Sequence, residues 1–139
     1  MKKVVVDASL AIKWVLEEHD SKEAERLLGG WLNAGVQLCA PALFIYEISN
    51  ILFRRVTAET AQEAQSALLN VGLTLDFSQS FALSARAIEL AHQFNMPATY
   101  DAHYLALAER ESCGLWTADA RMWRSVREHL DWVYCLGHV

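Results

Sequence analysis

No stretch of the 139-residue chain approaches the about 20 consecutive apolar residues that a membrane-spanning helix needs. The run Val4-Val5-Val6 behind Lys2 and Lys3 is interrupted by Asp7, far too early for a signal peptide, so a cytoplasmic protein is expected. The chain also lacks internal repeats, low-complexity tracts and Pro/Gly/Ser-rich linkers. Residues 1–139 therefore read as a single domain, long enough to bury roughly 68–70% of its unfolded surface. Cysteine is scarce: Cys39, Cys113 and Cys135 show neither metal-ligand nor redox spacing. Their odd number and strand-like surroundings exclude a disulfide framework and point to buried thiols. Basic excess is missing too. A net charge of −5 excludes a protein that coats nucleic acid through a general basic field, though not an enzyme whose site carries its own cations.

What the chain does contain is alternation. Short apolar runs at 3–7, 36–40, 73–77, 115–117 and 132–136 are separated by longer helical patterns. This is the signature of an α/β fold with a mostly parallel sheet of about five strands. Continuous rather than alternating apolar character suits strands covered on both faces. Helices are predicted over 9–17, 21–34 (capped by Asp20 or Ser21), from Pro41 to 55, over 59–70 with Gly72 past the end, from a Ser78 cap to 94, over 101–111 behind Thr99 as N-cap, and after Asp119.

Set into this pattern are four acidic residues, Asp7, Glu47, Asp101 and Asp119, each within or just beyond an apolar stretch. Carboxylates so placed cost free energy unless something pairs with them, and a shared divalent cation satisfies several at once. Asp7 falls at the end of the first strand and Asp119 just past the fourth, where open α/β sheets bind ligands. Asp101 opens a helix, and Glu47 shares a helix face with Asn50, Ile51 and Arg54 opposite the apolar stripe Phe44, Ile48 and Leu52. Oxygen donors without histidine or thiolate suit Mg2+ or Mn2+, and such sites suit phosphodiester hydrolysis. Each position alone has a plainer reading. Asp7 and Asp119 also serve as turn formers or helix caps, Asp101 as a first-turn acid that complements the helix dipole, and Glu47 as part of a solvated face.

Four segments carry a resemblance that covers nearly the whole chain: Val4-Val5-Val6-Asp7-Ala8-Ser9-Leu10, Glu47-Ile48-Ser49-Asn50-Ile51-Leu52, Tyr100-Asp101-Ala102-His103-Tyr104-Leu105-Ala106-Leu107-Ala108, and Trp116-Thr117-Ala118-Asp119. In their order and spacing they resemble PIN-domain proteins, specifically the compact ribonuclease toxins of the VapC type. The resemblance implies a three-layer α/β/α sandwich and a Mg2+- or Mn2+-dependent endoribonuclease that hydrolyses RNA through a metal-activated water. It also implies neutralisation by a small cognate antitoxin and homodimer formation, with the helices around 58–94 as candidates for the dimer contact. Asp7, Glu47 and Asp101 would be the central metal ligands and catalytic residues, with Asp119 as the fourth; Ser9, Asn50 and Thr117 match supporting positions.

Other features have two readings each. Trp14 and Trp31 recur at helical spacing with the core apolar residues, and an exposed subset near them is a candidate antitoxin groove. Arg121, Arg124 and Arg127 follow Asp119 at three-residue intervals, either as a solvated face or as an RNA-contacting rim in which Arg121 and Arg124 lie closest. His103 reads as structural or peripheral rather than as a general base, and His19, His92, His129 and His138 as surface residues. The rival to the nuclease is a catalytically inactive scaffold of the same fold that binds RNA or protein. A haloacid-dehalogenase-like phosphatase is disfavoured because Asp7-Ala8-Ser9 lacks a second aspartate.

Overall fold

A computed structural model describes residues 2–78 and 80–138. The strands are β1 (Lys3–Val6), β2 (Gln37–Pro41), β3 (Thr74–Asp76), β4 (Gly114–Thr117) and β5 (Val133–Cys135). The helices are α1 (Ala8–Ala11), α2 (Ser21–Asn33), α3 (Leu43–Arg55), α4 (Ala58–Asn70), α5 (Phe81–Gln93), α6 (Tyr100–Arg110) and α7 (Ala120–Val126). The strands form one sheet in the order β3-β2-β1-β4-β5, and every neighbouring pair is parallel.

The apolar run of β1 follows from its place at the centre of that sheet. Val5 packs into a core shared with α3 to α7, through Phe44, Leu68, Leu83, Tyr104 and Trp123. Val4 and Val6 point the other way, into a smaller core with Leu10 of α1 and Ala24 of α2. A central strand covered on both faces suits a continuous apolar run. The three expected layers follow from these two cores, with α6 lying across β1, β2 and β4.

Local chemistry sets several boundaries differently from the expectation. The helix predicted over 9–17 stops at Ala11 and continues only as a 3-10 turn over Ile12–Trp14. The following loop is held by side chains instead. The Ser21 hydroxyl donates to the Leu16 carbonyl (3.0 Å) and accepts from the Glu18 N–H (2.8 Å), while the Trp14 indole donates to the Ala24 carbonyl (3.0 Å). Asp20 occupies the N-cap position of α2, yet its side chain makes an ion pair with Lys13 at 2.7 Å rather than a cap. Pro41 closes β2 instead of opening α3. A strand end tolerates a residue without an N–H. Ser80, not Ser78, caps α5, because Ser78 is engaged by the Asp76 carboxylate. Thr99 stands at the N-cap position of α6 but makes no side-chain cap bond. Gly72 takes a φ of 86° just beyond α4, the left-handed conformation expected of a glycine there.

Cys39 and Cys135 are buried and Cys113 is half-buried. Burial pushes all three thiols up, that of Cys135 to about 11, so they stay protonated and behave as small hydrophobes. Trp14 and Trp31 are half-buried and meet edge to face at 6.5 Å; Trp31 then meets Trp116, which stacks on Tyr134. Of the two readings of these tryptophans, this interlocked aromatic row supports packing rather than an exposed groove. No helix among the described residues is long and apolar enough to cross a membrane.

Candidate active site

From β1 the chain crosses to β2 on one side, and β4 is later laid down on the other. The boundary between β1 and β4 is therefore the switch point of the sheet, where the crossovers diverge and leave a crevice beyond the strand ends. Asp7 directly follows β1, and its N–H extends the ladder to the Trp116 carbonyl at 3.2 Å. Asp119 lies two residues beyond the end of β4. The stripe Phe44, Ile48 and Leu52 is buried, which fixes the rotation of α3 and turns Glu47, Asn50 and Ile51 toward the crevice. Asp101 enters from the first turn of α6. Asp7, Ala8, Ser9, Glu47, Asn50, Ile51, Asp101 and Asp119 line one cavity of about 260 Å3.

The carboxylates stand in different environments. Asp7 is 5% exposed and accepts from the Ser9 hydroxyl (2.7 Å), the Leu10 N–H (3.1 Å) and the Thr117 hydroxyl. Thr117 is fully buried and also accepts from the Asp119 N–H at 2.9 Å, while Ser9 accepts from the Ala118 N–H at 3.0 Å. The protons of both hydroxyls are thus committed to Asp7, although the two oxygens lie 3.2 Å apart. Every one of these donors favours the ionised carboxylate. Burial still outweighs them and, helped by the charge of Asp101, raises Asp7 to about 7.

Asp101 accepts no hydrogen bond among the described residues. Burial, then the charges of Asp119 and Glu47, raise it to about 6. Glu47 accepts from the Tyr104 hydroxyl at 2.5 Å. Asp119 caps α7, its Oδ1 accepting from the N–H groups of Arg121 (3.0 Å) and Met122 (3.3 Å), which leaves Oδ2 uncommitted. Its capping role and its place in the cavity coexist.

The carboxylates share the cavity without closing on one another. Among the described residues, no three His, Cys, Asp or Glu side chains gather into a metal-ready cluster. The donor set nonetheless fits a hard divalent cation, for it offers carboxylate and amide oxygens and neither thiolate nor imidazole.

A family model for the PIN domain matches residues 4–128. The chain belongs to the PIN domain family. Its fold is similar to that of a chain in a toxin-antitoxin complex from Klebsiella pneumoniae, with a TM-score of 0.74 and 16% identity over 98% of this chain and 99% of that one. It is also similar to VapC20 of Mycobacterium tuberculosis, a sarcin-ricin loop cleaving toxin, with a TM-score of 0.66 and 17% identity over 82% and 86% of the two chains. No curated protein sequence matches.

Of the residues singled out in the sequence, this PIN domain gathers Asp7, Ser9, Glu47, Asn50, Asp101 and Asp119 around the cavity, with Thr117 directly behind Asp7. The arginines do not join them. Arg121 and Arg124 are exposed on α7 and make no ion pair among the described residues, and Arg127 lies over the Trp123 ring at 4.5 Å. His103 is structural, as expected: its Nδ1 donates to the Thr99 carbonyl (2.6 Å) and its Nε2 meets the Ser84 hydroxyl (3.3 Å). The sequence reading overlooked Tyr104. Its position three residues after Asp101, on the adjoining part of the same helix turn, was the available signal.

Proposed function

We propose that this PIN domain is a divalent-metal-dependent endoribonuclease and the toxin of a toxin–antitoxin pair, acting as a single unit. The observation that carries this reading is the convergence of Asp7, Glu47, Asp101 and Asp119 on one cavity at the switch point of the sheet. These four residues would hold a Mg2+ or Mn2+ ion, which would supply the positive charge that polarises a phosphate and acidifies a water. Ser9 and Thr117 fix the orientation of Asp7 by donating to its carboxylate, and Tyr104 orients Glu47 in the same way. Asn50, exposed at the mouth of the cavity, offers an amide to a phosphate oxygen.

An antitoxin partner is supported by the likeness to a chain of a toxin-antitoxin complex. The apolar cleft between α3 and α4, about 280 Å3 and lined by Phe44, Ile45, Ile48, Leu68 and Leu69, suits an amphipathic helix of such a partner better than the aromatic row at Trp14 and Trp31 does. A homodimer is supported by large apolar side chains left exposed on α3, α4 and α5: Phe53 (80%), Leu69 (77%) and Phe81 (96%).

The test is cleavage of single-stranded RNA by the purified chain with Mg2+ or Mn2+, beside the variants Asp7→Asn and Asp101→Asn. Both variants are expected to fold and to lose cleavage. Full activity in either one rules out the assignment.

A further inference from the structure

Resting on the nuclease reading, a second cavity indicates where the RNA backbone runs. It is a groove of about 680 Å3 between the first turns of α2 and the end of β5. Lys22, Arg26, His19 and His138 line it, and Ala118 and Ala120 form its wall. Those two alanines flank Asp119, which lines the acidic cavity, so the loop after β4 borders both spaces.

Two of the cations that line it have no carboxylate partner among the described residues. Lys3, Lys13, Arg55, Arg86 and Arg110 all pair with carboxylates. Lys22 and Arg26 are exposed and make no ion pair among the described residues. Spaced i, i+4 on α2, they project side by side from one face. Two acids also line the groove, but Asp20 is neutralised by Lys13 at 2.7 Å, which leaves Glu23 as the counter-charge. The His138 ring is held against Trp123 at 4.7 Å, which sets the far edge. A chain of net charge −5 repels a polyanion over most of its surface, so a nucleic-acid substrate needs a local basic track. Arg121 and Arg124, the candidates from sequence, line neither cavity.

We propose that single-stranded RNA leaves the acidic cavity past Asp119 and lies in this groove, with successive phosphates held by Lys22 and Arg26. These are sequence-independent contacts that position the strand.

The experiment uses the full chain, a fluorescein-labelled single-stranded RNA oligonucleotide and chelator to prevent cleavage, with anisotropy followed across a salt series. Each phosphate contact to a single strand contributes about 0.7 to the slope of log affinity against log salt, so Lys22→Ala with Arg26→Ala is expected to lower its magnitude by about 1.4. The exchange Lys22→Arg with Arg26→Lys keeps the slope, and Lys3→Ala, at the start of β1 and far from the strand ends that carry the groove, leaves it unchanged. Circular dichroism is expected to stay the same, since both residues are exposed on a helix and alanine is a strong helix former. A double alanine variant with wild-type slope and affinity, in a protein that binds and cleaves RNA, overturns the groove and spares the nuclease reading. A wild-type chain that neither binds nor cleaves RNA removes both.

Discussion

The Tyr104 hydroxyl donates to Glu47 Oε1 at 2.5 Å, joining α6 to α3 across a sequence separation of 57 residues. Tyr104 is 1% exposed, and burial with the neighbouring Glu47 carboxylate pushes its pKa far up, so it remains a neutral donor. One edge of the acidic cavity is thereby fixed from inside the core. Asp7 is fixed in the same way by Thr117. Each of these two carboxylates has a buried hydroxyl behind it, on a different element.

Replacing Tyr104 with Phe keeps the ring packing and removes only that donor. Glu47 then loses its orientation, and Mn2+ affinity measured by calorimetry is expected to fall about 10- to 100-fold, the usual cost of removing such a support. Stability is expected to drop by about 1.5–3 kcal/mol in urea unfolding, as for a lost hydrogen bond to a charged group. Unchanged Mn2+ affinity would show that Tyr104 only packs.

Thr117→Val preserves shape at a fully buried site but removes the donor to Asp7 and the acceptor for the Asp119 N–H. The first loss weakens support for the ionised form, so the pKa of Asp7 is expected to rise further and the acid limb of the pH–activity profile to move toward higher pH. A profile superimposable on wild type counts against the role of Thr117.

Metal affinity itself is expected to depend on pH. With Asp7 at about 7 and Asp101 at about 6, both must shed protons to act as ligands. Between about pH 8 and pH 6, Mn2+ affinity should fall at least about tenfold, and binding near pH 6 should release protons that calorimetry in two buffers detects. A titration that shows no Mn2+ binding at any pH favours the inactive scaffold.

The same shifts make a stability prediction of definite sign. The folded-state pKa of Asp101 is raised from 3.8 to about 6, so the native chain retains a proton that the unfolded chain has released. The stability this supplies is present below about pH 4 and disappears as pH rises through about 6. Asp101→Asn has no hydrogen-bond partner to offend and removes the repulsion from Asp119 and Glu47. Its metal-free melting temperature is therefore expected to exceed wild type by about 4 °C near pH 8 and to match it near pH 4. A variant less stable than wild type near pH 8 contradicts the repulsion.

Much of this was legible beforehand where it depended on neighbours in sequence. The runs around Val5, Leu38, Leu75, Leu115 and Val133 became strands because each is short, rich in apolar residues and set between helical patterns, and the buried stripe of α3 set the direction of Glu47. Element boundaries depart from the local pattern where a side chain takes over a backbone task. Ser21 and Trp14 hold the loop after the 3-10 turn, and Asp76 takes Ser78 away from capping. Local propensity carries no record of such bonds.

The sequence alone determined which residues carry oxygen ligands and where along strands and helices they sit, because strand ends and helix faces follow from local patterns. Only the tertiary structure decided that Asp7 is buried enough to rise to about 7, that Tyr104 supports Glu47, and that Lys22 and Arg26 share a groove wall with the neighbours of Asp119. Burial, desolvation and contacts between distant segments are properties of the packed chain, set by which helix lies over which strand.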